Sequence, residues 1–218
     1  GAEPRGEPSG ELPRTAFVNF LGNHDQVGNR ARGERLHQLT QDRTALRVAT
    51  AMTVLAPFVP MIFMGDEFLT DAPFLFFADF SGELAEAVRK GRAEEFAQFK
   101  AFGGEVPDPI SPATFAASKI ASPARDDQRE HEAFLRELLA FRRAHVAPLL
   151  AENPSPHGTV ERDGAFLRAT WDFGATRLFL HARLGEGRFE AHEDPLVSIA
   201  SPESPFAFSA ALLPDQQP

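Results

Sequence analysis

The stretch FVNFLGNHDQVGNRARGERL, residues 17–36, decides the fold. It begins inside a mostly apolar run, residues 16–21, which is short enough to be a buried strand. Gly22 ends the run, and four polar residues follow directly: Asn23, His24, Asp25 and Gln26. Polar side chains at the tip of a buried strand, continued by the polar segment up to Arg35, are typical of a binding loop on a rigid scaffold.

A helix and a second strand are predicted next. Asp42 can cap a helix whose apolar residues recur at helical spacing up to Leu55, and Pro57 ends it. Residues 59–64 form another apolar run, closed by Gly65 and then by Asp66–Glu67. The order strand, loop, helix, strand predicts parallel pairing in an α/β fold, whose ligands bind at the carboxyl ends of the strands. Both polar clusters fall there.

The remaining chain is predicted to divide into three regions. Residues 1–14 are a loop or disordered segment, residues 15–150 are the α/β part, and residues 151–218 are a small antiparallel β domain. Helices are expected over residues 83–102 and 128–145, with an irregular connection over 103–124. Strands are expected over residues 165–173 and 177–184, and weaker ones over 197–199 and 206–213.

Composition excludes several classes of protein. The 218 residues carry a net charge of −9, with a pI near 5.3, which argues against nucleic acid as a partner. There is no apolar run long enough for a membrane span and no signal-peptide pattern. Cysteine is absent, which excludes disulfides and thiolate chemistry and fits a cytoplasmic protein.

Each of these polar groups could also have a purely structural role. Asn23 and Asp25 could simply satisfy backbone groups in a turn, and Asp66–Glu67 could start a helix. His181 and His192 are too scattered for a metal site, so no metal is expected. Trp171 is expected in the core rather than as a platform for sugar. The charged helix face with Arg89, Lys90 and Arg92 is expected to be solvated.

Three strings resemble one family: FLGNHDQVGNRARGERL, VPMIFMGDEF and PFLFFADFSGELAEAVRKGRAEEF. They are similar to the malto-oligosyltrehalose trehalohydrolases of the α-amylase superfamily. NHD alone marks the superfamily, whereas NHDQ-x-GNRA-x-GER and AVR-x-GR-x-EF are much more specific. The resemblance implies the C-terminal part of a (β/α)₈ barrel, with strands seven and eight, followed by a β-sandwich.

The resemblance also implies roles for the polar loop. Asp25 matches the third catalytic acid, which binds hydroxyls of the sugar at the cleavage point and stabilises the transition state. His24 matches a residue that hydrogen-bonds the same sugar, and Asn23, Gln26 and Asn29 are expected to bind substrate. No cofactor is implied. Two departures, Gly22 in place of Gln and Phe80 in place of His, remove polar groups near the expected cleft.

The activity implied is hydrolysis of the α-1,4 bond next to the terminal trehalose of maltooligosyl trehalose. Retaining hydrolysis needs a nucleophile and an acid/base about 5–5.5 Å apart, and in the family these follow earlier barrel strands. We therefore expect the chain to be inactive alone and to need an N-terminal barrel segment as partner. The alternatives are another enzyme of the superfamily, such as a glucan branching enzyme, and a non-catalytic carbohydrate-binding remnant.

Overall fold

The computed structural model describes residues 6–97, 106–201 and 203–214. The α-helices are α1 (His24–Gly28), α2 (Leu36–Leu39), α3 (Arg43–Leu55), α4 (Gly82–Ala97), α5 (Pro112–Ala117), α6 (Asp126–Phe141) and α7 (Ala147–Glu152). The strands are β1 (Val18–Asn19), β2 (Val59–Pro60), β3 (His157–Asp163), β4 (Phe166–Asp172), β5 (Thr176–Leu184), β6 (Val197–Ala200) and β7 (Phe206–Pro214). Two compact units divide the chain: a first unit of residues 1–19, 42–61 and 136–218, and a second unit of residues 20–41 and 62–135.

In the first unit, β1 and β2 pair in parallel, as predicted. The amide of Val59 donates to the carbonyl of Phe17 (3.0 Å), and the amide of Met61 donates to that of Asn19 (2.9 Å). Pro60 has no N–H, but it lies between these two donors, so the pair loses no hydrogen bond to it. The paired segments are shorter than the apolar runs in which they lie.

Helix α3 confirms the prediction made from its cap. The Asp42 carboxylate accepts a hydrogen bond from the Ala45 amide at 3.0 Å, which satisfies one of the free amides of the first turn. At the other end, Arg142 donates to the carbonyls of Val54 (2.8 Å) and Ala56 (2.7 Å). These bonds satisfy carbonyls that a helix C-terminus leaves without a partner. The buried apolar residues of the helix are Leu46, Val48, Ala51, Val54 and Leu55.

The antiparallel sheet of the first unit has the strand order β3-β4-β5-β7-β6. The four strands predicted from alternation are present as β4 to β7, and Trp171 on β4 is in the core, with 8% of its surface exposed. Strand β3 was not predicted, because nearly all of its positions are exposed and it therefore lacks apolar alternation. The boundary predicted at residue 150 stays a prediction.

The second unit differs from the sequence prediction in several places, and the polar segment predicted as a loop contains the short helices α1 and α2. Helix α4 begins at Gly82, close to the expected start, and residues 98–102 of that prediction lie outside the described residues. The connection expected to be irregular contains α5, which begins after Ser111, whose side chain caps the Ala113 amide (3.2 Å). Pro112 at the first helical position needs no hydrogen-bond acceptor there. The helix expected over residues 128–145 is α6, which continues as a π-helical turn at Arg142–Val146.

In the first unit, His181 on β5 stacks on His192, which lies in the connection between β5 and β6. The rings of His181 and His192 lie 4.0 Å apart between centroids, with 28° between their planes. Nδ1 of His181 is 2.9 Å from the Glu190 carbonyl, whereas the two buried Nε2 atoms have no hydrogen-bond partner among the described residues. Burial lowers the pKa of both imidazoles, and the neighbouring His181 and Arg168 help to lower the pKa of His192 to about 4. The pair is therefore stable as neutral imidazoles.

This pair predicts a loss of stability in acid. The pKa of each imidazole is lower folded than unfolded, so the unfolded chain binds more protons between pH 6.5 and about 4. As far as this pair is concerned, the free energy of unfolding is therefore highest above pH 6.5, and it falls as the pH drops toward 4. Each kcal/mol lost lowers the melting temperature by about 2–4 °C. Trp171 fluorescence during thermal unfolding at several pH values measures this change.

A variant separates the histidines from the carboxylates that titrate in the same range. His192→Gln is expected to flatten the pH dependence, whereas His157→Gln, a substitution at an exposed residue of β3, is expected to leave it as in the wild type. An equally steep loss in His192→Gln would contradict this assignment.

Candidate active site

Helix α1 begins with a reciprocal pair of side-chain hydrogen bonds between Asn23 and Gln26. The Asn23 carboxamide oxygen accepts from the Gln26 amide (3.1 Å), and the Gln26 carboxamide oxygen accepts from the Asn23 amide (2.8 Å). This capping box fixes the start of the helix immediately after the end of β1. The structural interpretation is therefore correct for Asn23, whose oxygen satisfies a backbone amide, and the NH₂ groups of Asn23 and Gln26 remain available as donors.

The two residues inside this box point to solvent. The side chains of His24 and Asp25 are 69% and 71% exposed, and Nε2 of His24 lies 3.3 Å from Oδ1 of Asp25. Asp25 is thus not part of the core, and a carboxylate in this position can accept hydrogen bonds from the hydroxyls of a ligand. Asn29, at the other end of α1, is also exposed. The five predicted site residues consequently lie on one short segment of the second unit.

Arg92 anchors the C-terminal end of α1. Its guanidinium donates to the carbonyl of Gly28 (2.5 Å) and approaches the Asn29 carboxamide oxygen (3.5 Å). It also lies over two rings, 4.9 Å from the centroid of Phe76 and 4.5 Å from that of Phe96. A cation at the end where helix carbonyls have no partner stabilises that end electrostatically. Arg92 therefore helps to fix the orientation of the segment that presents Asp25.

The expectation that Arg92 is solvated is wrong, since only 7% of its surface is exposed. Its neighbours fit the expectation better: the side chain of Lys90 is 77% exposed, and that of Arg89 is 38% exposed and pairs with Asp108 at 3.0 Å. The three residues look alike in sequence. Arg92 alone faces carbonyls from a distant segment, which only the tertiary structure reveals.

Arg35 holds the other end of the polar loop. It is 0% exposed, and it donates to the carbonyl of Met64 (2.6 Å), to that of Ala72 (3.2 Å) and to Oδ1 of Asp66 (3.1 Å). Burial raises the pKa of Asp66, and the Arg35 charge opposes that rise. A buried guanidinium with these partners ties the loop to the segment that follows β2. Sequence analysis did not identify Arg35 as a structural residue, because it looks like one of several arginines in a polar loop.

Gly33 allows the same loop to pass close to the backbone of Phe74. It has a φ of +60°, and a Cβ there would lie 2.4 Å from the carbonyl oxygen of Phe74. The carbonyl of Gly33 in turn accepts from the Phe74 amide at 3.0 Å. The second glycine of the GNRARG string is thus required for the loop's path.

Asp66 and Glu67 differ in role. They begin a 3₁₀ turn, Asp66–Phe68, after Gly65 in the left-handed conformation, as the structural interpretation expects. The Glu67 carboxylate accepts from the Gly65 amide (2.6 Å), so it closes the turn. Asp66 is instead paired with Arg35, and its second oxygen, Oδ2, is directed toward Gly22.

The described residues contain neither a cluster of metal-binding side chains nor a membrane-spanning helix. No three His, Asp or Glu side chains in residues 6–97, 106–201 and 203–214 are arranged to hold a metal ion. No helix in these parts of the chain has both the length and the apolar character needed to cross a membrane.

Comparison with known proteins relates the chain to one enzyme family. It is 40% identical over 186 residues to the malto-oligosyltrehalose trehalohydrolase of Deinococcus radiodurans, a match that covers 84% of this chain and 30% of the relative. It is 42% identical over 123 residues to that of Saccharolobus solfataricus, covering 56% of this chain and 20% of the relative. The chain thus spans less than a third of the length of these relatives. No protein-family model matches the sequence.

A solved structure supports the fold. A protein from Salmonella typhimurium, described as a candidate alpha amylase, superposes with a TM-score of 0.81 at 37% identity, over 96% of this chain and 37% of that protein. The parallel strand pair, its helices and the antiparallel sheet are therefore the C-terminal part of an α-amylase-type barrel followed by a β domain, as expected.

Proposed function

This chain is a relative of the malto-oligosyltrehalose trehalohydrolases, and on that premise we propose that it is the C-terminal portion of a glycoside hydrolase that releases trehalose. The bond cleaved is the α-1,4-glucosidic bond next to the terminal trehalose of maltooligosyl trehalose. The observation that carries the proposal is the exposed His24–Asp25 pair, which follows a parallel strand in a chain with this similarity. A cytoplasmic location stays a prediction.

Each residue of the segment has a proposed role. Asp25 accepts hydrogen bonds from hydroxyls of the sugar at the cleavage point, and these bonds strengthen as positive charge develops on the ring in the transition state. His24 binds the same sugar from its position beside the carboxylate. Asn23 and Gln26 donate through their NH₂ groups, because their oxygens are engaged in the capping box. Asn29 adds a contact at the end of α1.

The bond-breaking groups are proposed to lie in a longer protein. Retaining hydrolysis uses a nucleophile and a separate acid/base. In the described residues Asp25 contacts His24 rather than a second carboxylate. The remaining barrel strands would bring the other two acids to the face where α1 lies, and they would also supply partners for the strand edges that β1 and β2 leave open.

Product analysis tests the proposal. The longer protein carrying this segment is expected to release trehalose from maltotriosyl trehalose, and the 218-residue chain is expected to release none. Trehalose measured by chromatography decides both statements. Release by the 218 residues alone would refute the second statement, and maltose or branched glucan as the main product of the longer protein would favour another enzyme of the superfamily.

A further inference from the structure

Only one of the two carboxylate oxygens of Asp66 is used within the protein. Oδ1 accepts from the buried guanidinium of Arg35 at 3.1 Å, and Arg35 is itself held by the carbonyls of Met64 and Ala72. The Asp66 side chain is 26% exposed. No described residue donates a hydrogen bond to Oδ2. Asp66 is thus rigidly held on one side and open on the other.

The open oxygen lies beside the candidate active-site segment. A Cβ placed on Gly22 would lie 3.9 Å from Oδ2 of Asp66, and no other atom beyond the adjacent residues would lie within 4 Å of it. The position that a side chain of residue 22 would start from is therefore open and next to Oδ2. Gly22 directly precedes Asn23, the cap of the helix that presents Asp25.

A carboxylate arranged in this way is suited to a hydroxyl-bearing ligand. A sugar hydroxyl donates to a carboxylate oxygen, and the hydrogen bond needs no further ordering of Asp66, since Arg35 already fixes it. The centroid of the Phe63 ring lies 5.1 Å from the Arg35 guanidinium, so an apolar group also packs against this ion pair.

We propose that Asp66 is a further substrate-binding residue, that its Oδ2 accepts a hydrogen bond from a hydroxyl of an α-linked glucose unit, and that Gly22 admits this unit. The inference rests on the proposed function, because it assumes that the ligand of this face is a glucan. It adds a second contact on the glucan to the one assigned to Asp25.

Two substitutions in the longer enzyme test Asp66. Asp66→Asn keeps an oxygen for Arg35 but replaces Oδ2 by an NH₂ group, and it is expected to raise KM for maltotriosyl trehalose about 10-fold, the typical effect of losing one charged hydrogen bond. Gly22→Leu leaves the ion pair intact and places a side chain without polar atoms next to Oδ2, and it is expected to raise KM to a similar extent. The φ of Gly22 does not require glycine, so this change introduces no backbone strain.

The control is Asp71→Asn, a change at a 64% exposed acid of the same segment, which is expected to leave KM as in the wild type. A raised KM in both test variants, with the control unchanged, supports the inference. An unchanged KM in Gly22→Leu would overturn it, whatever the stability of Asp66→Asn. Trehalose release by the wild type is measured separately. If the longer protein forms another product from the glucan, the proposed function fails, but the ratio of variant to wild-type KM for that reaction still tests the role of Asp66.

Discussion

Asp25→Asn in the longer enzyme is expected to lower kcat for trehalose release by about 10²- to 10³-fold, the usual cost of removing one preorganised group that stabilises transition-state charge. The substitution is isosteric, but it removes the negative charge and gives the side chain a donor where sugar hydroxyls also donate. Because the Asp25 side chain is 71% exposed and caps nothing, the melting temperature is expected to stay as in the wild type. Steady-state kinetics on maltotriosyl trehalose measures the effect.

Glu34→Gln is the matched control for this experiment. Glu34 lies in the same loop, where its carboxylate accepts from the Arg32 amide at 3.3 Å, and no catalytic role is proposed for it. We expect its kcat to remain within about threefold of the wild type, since surface substitutions away from a site have small effects. If Asp25→Asn kept the same activity as Glu34→Gln, Asp25 would have no part in the reaction.

Arg35→Met is expected to produce the largest loss of stability, about 3–5 kcal/mol in the free energy of unfolding. The methionine fills much of the buried space but leaves Asp66 without its counter-ion and the carbonyls of Met64 and Ala72 without their donor. Urea unfolding followed by circular dichroism measures the change. Arg32→Met, at an exposed position three residues earlier, is expected to change the same free energy by less than 0.5 kcal/mol.

A second variant tests whether the ion pair itself causes this loss. In the Arg35→Met background, Asp66→Asn removes an acid that has already lost its partner, so it should cost less than it does in the wild type. Equal costs in the two backgrounds would show that Arg35 stabilises the loop through its carbonyl contacts alone. A total loss below about 1 kcal/mol for Arg35→Met would contradict the assigned role.

Local sequence was sufficient for the elements whose signals lie within a few residues of one another. Asp42 and the spacing of apolar residues up to Leu55 predicted α3 correctly, and alternation predicted β4 and β5 to within a few residues. Parallel pairing of β1 with β2 followed from the order of elements. Strand β3 was missed because its residues are mostly exposed, so burial left no pattern in its sequence.

Sequence also identified the segment of the candidate site, but not what supports it. Asn23, His24, Asp25 and Gln26 were selected as polar residues after a strand, and the resemblance to a family suggested their roles. Arg35 was counted among the polar residues of the binding loop and Arg92 among the solvated charges, yet one is 0% and the other 7% exposed. No property of either residue's neighbours in the chain distinguishes a buried arginine from a solvated one.

The sequence by itself determined helices α3, α4 and α6, strands β4 to β7, the parallel order of the first two strands and the position of Asp25 after one of them. These features depend on helix caps, proline and the periodicity of apolar residues, which are signals between residues close together in sequence. Only the tertiary structure decided that Arg35 and Arg92 are buried, that His181 meets His192 and that Gly22 opens onto Asp66. A charge can be buried only where carbonyls or an opposite charge compensate for the loss of water. Here these groups belong to segments distant in sequence, so they lie beside the two arginines only in the folded chain.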